Sequence, residues 1–338
     1  MDSISQMALG ASIAHVTLGS RLGRRALLVG AALGTLPDLD VVIPYADAIE
    51  SFTYHRSWSH SLLVLSLLSP LLALLIQRVF RRYNITFFQC LASTWLILIT
   101  HILLDSFTVY GTQLFWPLTL PPTAIGSVFI IDPLYTIPLI TGIVLALRRP
   151  FHRSAKPVIA CLVISTAYLD WTLVAQHQVQ RKLEHTVTQL GLESEGLMVI
   201  PFPLSLLWRT VVQTEEHYYE GFSSLLDSND IINLTQYDNG KQAYSQLLDE
   251  WPIQEWPIQR LDWFTRGMFS LNVEDDRLIA SDLRIGVHGS YIFRFSIAHR
   301  NEADEWQDGL TEQLPVSVES ERMKQLIQRV TNEDAIKY

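Results

Sequence analysis

Cysteine is scarce: the 338 residues hold two, Cys90 and Cys161, each inside an apolar run. Two such residues cannot build the disulfide framework of a small secreted domain, and they read as packing residues. Charge is also sparse, at 17% of residues against 49% hydrophobic, whereas an ordinary soluble domain is about one quarter charged. Neither half carries a concentrated basic stripe, so the electrostatic footprint of a nucleic-acid partner is missing. No G-x-S-x-G elbow and no glycine-rich phosphate cradle occurs. Ser59 and Ser61 flank His60, but neighbours in sequence do not make a catalytic triad. The opening MDSISQMALGASIAHVTLGS starts on an acid and holds His15 within its apolar stretch, which fits a cleaved signal peptide poorly.

Long apolar segments are what the chain does have. A bilayer crossing needs about 20 residues at 1.5 Å rise each, and residues 61–79, 87–104, 128–147 and 157–175 approach or meet that length. Residues 26–44 form a weaker segment interrupted by GTLPDLD, and residues 4–20 are short enough to be re-entrant or interfacial. Basic residues gather at Arg21/Arg24/Arg25, at Arg78/Arg81/Arg82 and at Arg148/Arg149/Arg153/Lys156, between consecutive apolar segments. The positive-inside rule makes those loops cytoplasmic, which puts residues 38–60, 105–127 and everything after about Gln176 on the other side. Residues 1–156 carry net +4 and residues 157–338 net −13, so the halves face different solvents. The expected fold is an α-helical multi-pass membrane domain over residues 1–175, followed by a soluble, extramembrane α+β domain over 176–338. In the latter, MFSLNVEDDRLIASDLRIGV and GSYIFRFSIAH alternate like half-buried strands, and SVESERMKQLIQRVTNED reads as a closing helix with Ser317 or Ser320 as cap.

The costly residues lie in the apolar half. THILLD puts His101 and Asp105 at i, i+4, on one helix face. Asp38 and Asp40 follow Pro37, His55 and His60 bracket RSWS, and Asp132 opens IIDPLY. Plainer readings exist for each: His15 as a hydrogen-bonded structural residue, Asp38 and Asp40 as a solvated helix terminator, Arg56 as their neutralising partner. A charged residue near a membrane centre costs about 2.5–3.5 kcal/mol on insertion scales, and six or seven such groups on one side favour a shared divalent metal site. Imidazole and carboxylate donors suit zinc, with manganese or iron as alternatives. The expected ligands are Asp38, Asp40, His55, His60, His101 and Asp105, joined by His15 and Asp132. Asp40 and His60 are the candidate catalytic groups, with Arg56 available to stabilise an anion.

The order His15, PDLD, HRSWSHS, HILLD, WP and then DP at Asp132 resembles the YdjM-like family of predicted membrane-bound metal-dependent hydrolases. The resemblance covers the chain to about Pro133, and PFPLSLLWRTV, YYEG and SDLRIG look like the C-terminal region of longer members. HRSWSHS has Ser57-Trp58-Ser59 where Gly-x-Thr is the commoner filling, which alters the loop and leaves the ligands intact. The resemblance implies an integral protein of the bacterial inner membrane in which metal-activated water attacks a substrate, phosphoester or lipid-linked, that it does not name. Two other readings stay open: a metal-stabilised anchor presenting the C-terminal domain to a partner, and a transporter, weakened by having only four or five apolar segments and no interrupted repeats. The bilayer is the one partner the sequence identifies; oligomeric state is not legible.

Overall fold

The computed structural model describes residues 1–251, 253–316, 320–333 and 335. In chain order the first part forms α1 (Ser3–Leu22), α2 (Arg25–Thr35), α3 (Ala48–Tyr54), α4 (Leu62–Val79), α5 (Phe87–Ser106) and α6 (Pro133–Arg148). The 40-residue α7 (Phe151–Leu190) leads into strands β1 (Gly196–Pro201), β2 (Leu207–Gln213), β3 (His217–Ser224) and β4 (Leu234–Asp238). Helices α8 (Lys241–Glu250) and α9 (Trp256–Thr265) follow, then β5 (Phe269–Glu274), β6 (Arg277–Asp282), β7 (Arg294–Arg300) and β8 (Trp306–Gln313), and last α10 (Ser320–Arg329). The chain divides into two compact units, residues 1–43 with 55–173 and residues 44–54 with 174–338. Composition alone had put 44–54 with the membrane helices.

Helices α4, α5 and α7 are long and apolar enough to cross a membrane, α7 running from the first unit into the second, and α2 and α6 are shorter apolar helices. Their ends follow from local chemistry. Ser61 caps α4, Thr86 and Gln89 form a reciprocal capping box on α5, and Asp2 accepts from two backbone N–H groups at the start of α1, each satisfying donors that a helix start leaves orphaned. The apolar run at 128–147 becomes helical only at Pro133, because Asp132 caps α6 and proline suits its first turn. α1 is a full 20-residue helix, buried along most of its length. It meets α2 at backbone distance: a Cβ on Gly30 would lie 2.1 Å from the Gly10 carbonyl oxygen, and one on Gly34 2.5 Å from that of Gln6. Small residues permit this approach where the lipid gives helices no hydrophobic reason to associate.

The second unit holds two four-stranded antiparallel meanders, β1-β2-β3-β4 and β5-β6-β7-β8. Asp275 and Asp276, both at positive φ, turn β5 into β6, the two-residue hairpin geometry that matches strand twist. A buried polar network joins the sheets. Arg209 on β2 pairs with Glu220 on β3 at 2.5 Å and donates to the Leu283 carbonyl after β6, while the Tyr291 hydroxyl bridges Glu220 and Tyr218. The segment 44–54 belongs here because α3 inserts Phe52 among Phe264, Phe293 and Phe295, ring centroids 4.5–5.2 Å apart, and Arg260 donates to the Thr53 hydroxyl at 2.9 Å. Ser320–Arg329 is helical as expected; Ser317, its other proposed cap, lies outside the described residues.

Candidate metal centre

Asp38, His60, His101 and Asp105 each offer one donor atom, all within 4.8 Å of one another. Three pieces of local structure bring them together. Asp38 lies in the 3-10 turn Pro37–Val42, His60 ends the turn Trp58–His60 just before α4, and His101 and Asp105 share the last turns of α5. His60 Nε2 is 3.4 Å from Asp38 Oδ1 and 3.1 Å from Asp105 Oδ2; His101 Nε2 is 3.5 Å and 3.4 Å from the same two atoms. Donors about 2.0–2.1 Å from a tetrahedral ion stand about 3.3 Å from each other.

Hydrogen bonds around the cluster fix which nitrogen is free. His101 Nδ1 lies 2.7 Å from the Gly34 carbonyl, which can only accept, so Nδ1 carries a proton and in the neutral ring the lone pair is on Nε2. That Nε2 is buried and has no hydrogen-bond partner among the described residues. Ser59 donates its hydroxyl to Asp40 Oδ2 at 2.6 Å and so accepts from His60 Nδ1 at 2.9 Å, which leaves His60 Nε2 facing the two carboxylates, 3.1 Å from Asp105 Oδ2. Two imidazole Nε2 atoms and two carboxylates converge, with His60 Nε2 within hydrogen-bond reach of Asp105 Oδ2 at 3.1 Å, and a cation bound among them would replace the proton shared there. The donor set fits a divalent ion, and the bonds to Gly34 and Ser59 are the outer contacts that orient ligating imidazoles.

Asp105 faces both ways. Its Oδ2 points at the imidazoles, while Oδ1 accepts from Gln6 Nε2 at 3.1 Å, pairs with the Arg56 guanidinium at 3.3 Å, and contacts the buried Met1 amino group. Arg56 is buried over the Tyr110 ring and thus serves Asp105; the sequence reading had offered it to an anion.

Asp40 and His55 stand outside the four. Asp40 accepts from His55 Nδ1 at 2.9 Å, from the Arg56 backbone N–H at 2.9 Å and from Ser59, and so clasps the chain where it leaves the first unit and where it returns. Burial works against its charge, but these bonds, that of His55 foremost, hold its carboxyl below the usual carboxylate range.

The structure does not bring His15 and Asp132 to the cluster. His15 is nine residues beyond Gln6 on α1, about 13 Å along the axis, where Nε2 meets the Ser154 hydroxyl at 2.9 Å and the ring lies against Phe151. Asp132 caps α6 and accepts from the Tyr168 hydroxyl at 2.8 Å. Sequence reasoning missed Gln6, Gly34 and Ser59. Gln6 carried a signal, a polar side chain in an apolar run; the Gly34 carbonyl carried none.

Helices fit to cross a membrane, an Asp/His cluster of metal-binding type and an antiparallel-sheet unit define a multi-pass membrane protein with a potential metal site. The chain belongs to the family described as YdjM inner membrane protein, whose profile matches residues 1–179. Among curated proteins it is similar to the uncharacterized protein YfhP of Bacillus subtilis (strain 168), 22% identical over 281 residues that cover 76% of this chain and 82% of that one. No solved structure matches the chain.

Proposed function

We propose that this protein is a membrane-bound metal-dependent hydrolase whose ion is held by Asp38, His60, His101 and Asp105. The observation that carries the reading is the convergence of His60 Nε2 and His101 Nε2 on Asp38 and Asp105 at 3.1–3.5 Å, with both Nδ1 atoms engaged elsewhere, by the Ser59 hydroxyl and the Gly34 carbonyl. A divalent ion there supplies Lewis acidity, which polarises a scissile bond and acidifies water. The chain's own residues do the rest. Ser59 and Gly34 hold the imidazoles in the ligating tautomer, Gln6 and Arg56 hold Asp105, and Asp40 with His55 closes the loop carrying His60. Zinc suits two nitrogens and two oxygens, and manganese or iron would accept the same donors. The three basic loops support an orientation with the cluster and the second unit extracytoplasmic, which accessibility labelling at Tyr83 and Thr112 tests by their opposite sidedness.

One observation favours a second reading, a metal-stabilised anchor without catalysis: four protein donors are what closed structural zinc sites use. Metal analysis of the detergent-purified protein, followed by hydrolysis assays on phosphoesters, lipids and amides before and after chelation, separates the two. The expected result is one or two equivalents of metal and an activity lost to chelator and restored by the ion. Bound metal without turnover supports the anchor, and absence of metal overturns both.

A further inference from the structure

The two ligand-bearing helices set the depth of the cluster. His60 lies two residues before α4 begins, and Asp105 one residue before α5 ends. These apolar helices run side by side, joined by the Trp95 indole donating to Ser66 at 3.0 Å. Their basic residues, Arg78, Arg81 and Arg82, are at the opposite end. His101 is five residues from the end of α5, about 7.5 Å. The polar layer of one leaflet is about 5–7 Å thick, so with α4 and α5 crossing a bilayer end to end the four donors would stand level with lipid headgroups and their linkages.

Exposed apolar side chains flank the donors along the chain. The turn that carries Asp38 exposes Val41 and Val42, at 73% and 76%, and the turn that carries His60 exposes Trp58 at 42%. The loop after α5 adds exposed Phe115 and Trp116, and it is bonded to the His60 segment by Leu62 N–H to the Leu114 carbonyl (2.9 Å) and the Ser61 hydroxyl to the Trp116 carbonyl (2.7 Å). A site for a water-soluble compound gains nothing from such a rim, which costs free energy in water. The bilayer that covers exposed Leu63, Leu67 and Leu71 on α4 continues onto this rim, and tryptophan is the residue favoured at that boundary.

We infer that the cluster takes a bilayer glycerolipid, acyl chains against Val41, Val42, Trp58, Phe115 and Trp116 and an ester or phosphoester linkage level with the four donors. Cleavage of that lipid rests on the hydrolytic reading above; its binding rests on the surface.

The full chain is reconstituted in phosphatidylglycerol vesicles with plain or dibrominated acyl chains, as wild type and as a Trp58→Phe/Trp116→Phe double variant. The difference in fluorescence between the two proteins isolates the rim tryptophans. Brominated chains should quench that share, and Val42→Asp, a change at an exposed position, should weaken the quenching about tenfold in lipid concentration. In parallel, phosphatidylglycerol is compared with its deacylated form, glycerophosphoglycerol, as substrate, and the lipid should be preferred by at least about 100-fold. A rim share untouched by brominated lipid, or equal turnover of the deacylated compound, overturns the inference. Quenching at the rim with metal bound and no bond broken in either compound upholds lipid binding and overturns cleavage of this lipid.

Discussion

His101 and Asp105 look equivalent in the sequence, one turn apart on the same helix, but the structure gives them different neighbours. Replacing His101 with alanine removes one donor atom of the cluster and the Nδ1–H bond to the Gly34 carbonyl. Metal per folded protein should fall and expression stay near normal. Asp105→Ala also strands the buried Arg56 guanidinium, and leaving one partner of a buried pair costs about 3–5 kcal/mol. Its thermal midpoint should therefore drop as well, while Thr100→Ala, whose hydroxyl only bonds back to Leu96 and Ile97 carbonyls, should leave both readouts nearly unchanged. Full occupancy in His101→Ala would remove α5 from the site. Ser59→Ala tests the tautomer argument: losing an outer contact of a ligating imidazole typically costs about 10- to 100-fold in metal affinity, which metal titration of the folded protein measures. These residues mark how far the sequence could be read. The i, i+4 pair and the PDLD and HRSWSHS stretches pointed to the cluster, because spacing on a helix and polar groups in apolar runs are visible in one dimension. That Asp38 reaches the donors while Asp40, two residues on, clasps the loop depends on a 3-10 turn whose side-chain directions composition does not reveal.

Helix contacts set the next level of precision. Gly34, whose carbonyl accepts from His101, lies on the helix α2 that touches α1 backbone to backbone at Gly10 and Gly30. A methyl at Gly30 would stand 2.1 Å from a backbone oxygen, so Gly30→Ala should force the helices apart, lower the thermal midpoint and weaken metal binding. Gly142→Ala, whose Cβ would meet the Cys161 side chain at 3.3 Å, is the control and should be mild in both. Equal behaviour of the two would mean the close approach is dispensable. The apolar helices were readable from length and hydropathy, since a bilayer imposes both. The 20-residue α1 was not, because its buried Ser5, Gln6, Ser12 and His15 break the hydropathy that the surrounding helices then compensate.

The whole chain divides within two residues of where its composition changes, apart from one segment. A cut at 175/176 follows the change in charge and leaves α3 on the wrong piece, since Phe52 fills a space among Phe264, Phe293 and Phe295 in the second unit. A fragment of residues 174–338 should be aggregation-prone or melt early, by about the 3–5 kcal/mol that removing a buried phenylalanine costs, and a peptide of residues 44–54 should raise its thermal midpoint. A fragment equally stable with and without the peptide would refute this. No local pattern could have shown it, because the contact joins residues more than 200 positions apart. That separation has a consequence during synthesis. Phe52 leaves the ribosome 212 residues ahead of Phe264, an interval of about 10–40 s at about 5–20 residues per second. Throughout it, α3 has no core to join, and the bonds of Asp40 to His55 and Arg56 must close a loop that is still unfolded, against its entropy. All four candidate donors, Asp38, His60, His101 and Asp105, are already translated by then, so a nascent chain holds the whole cluster before it holds the strands that take up α3, the segment between Asp38 and His60.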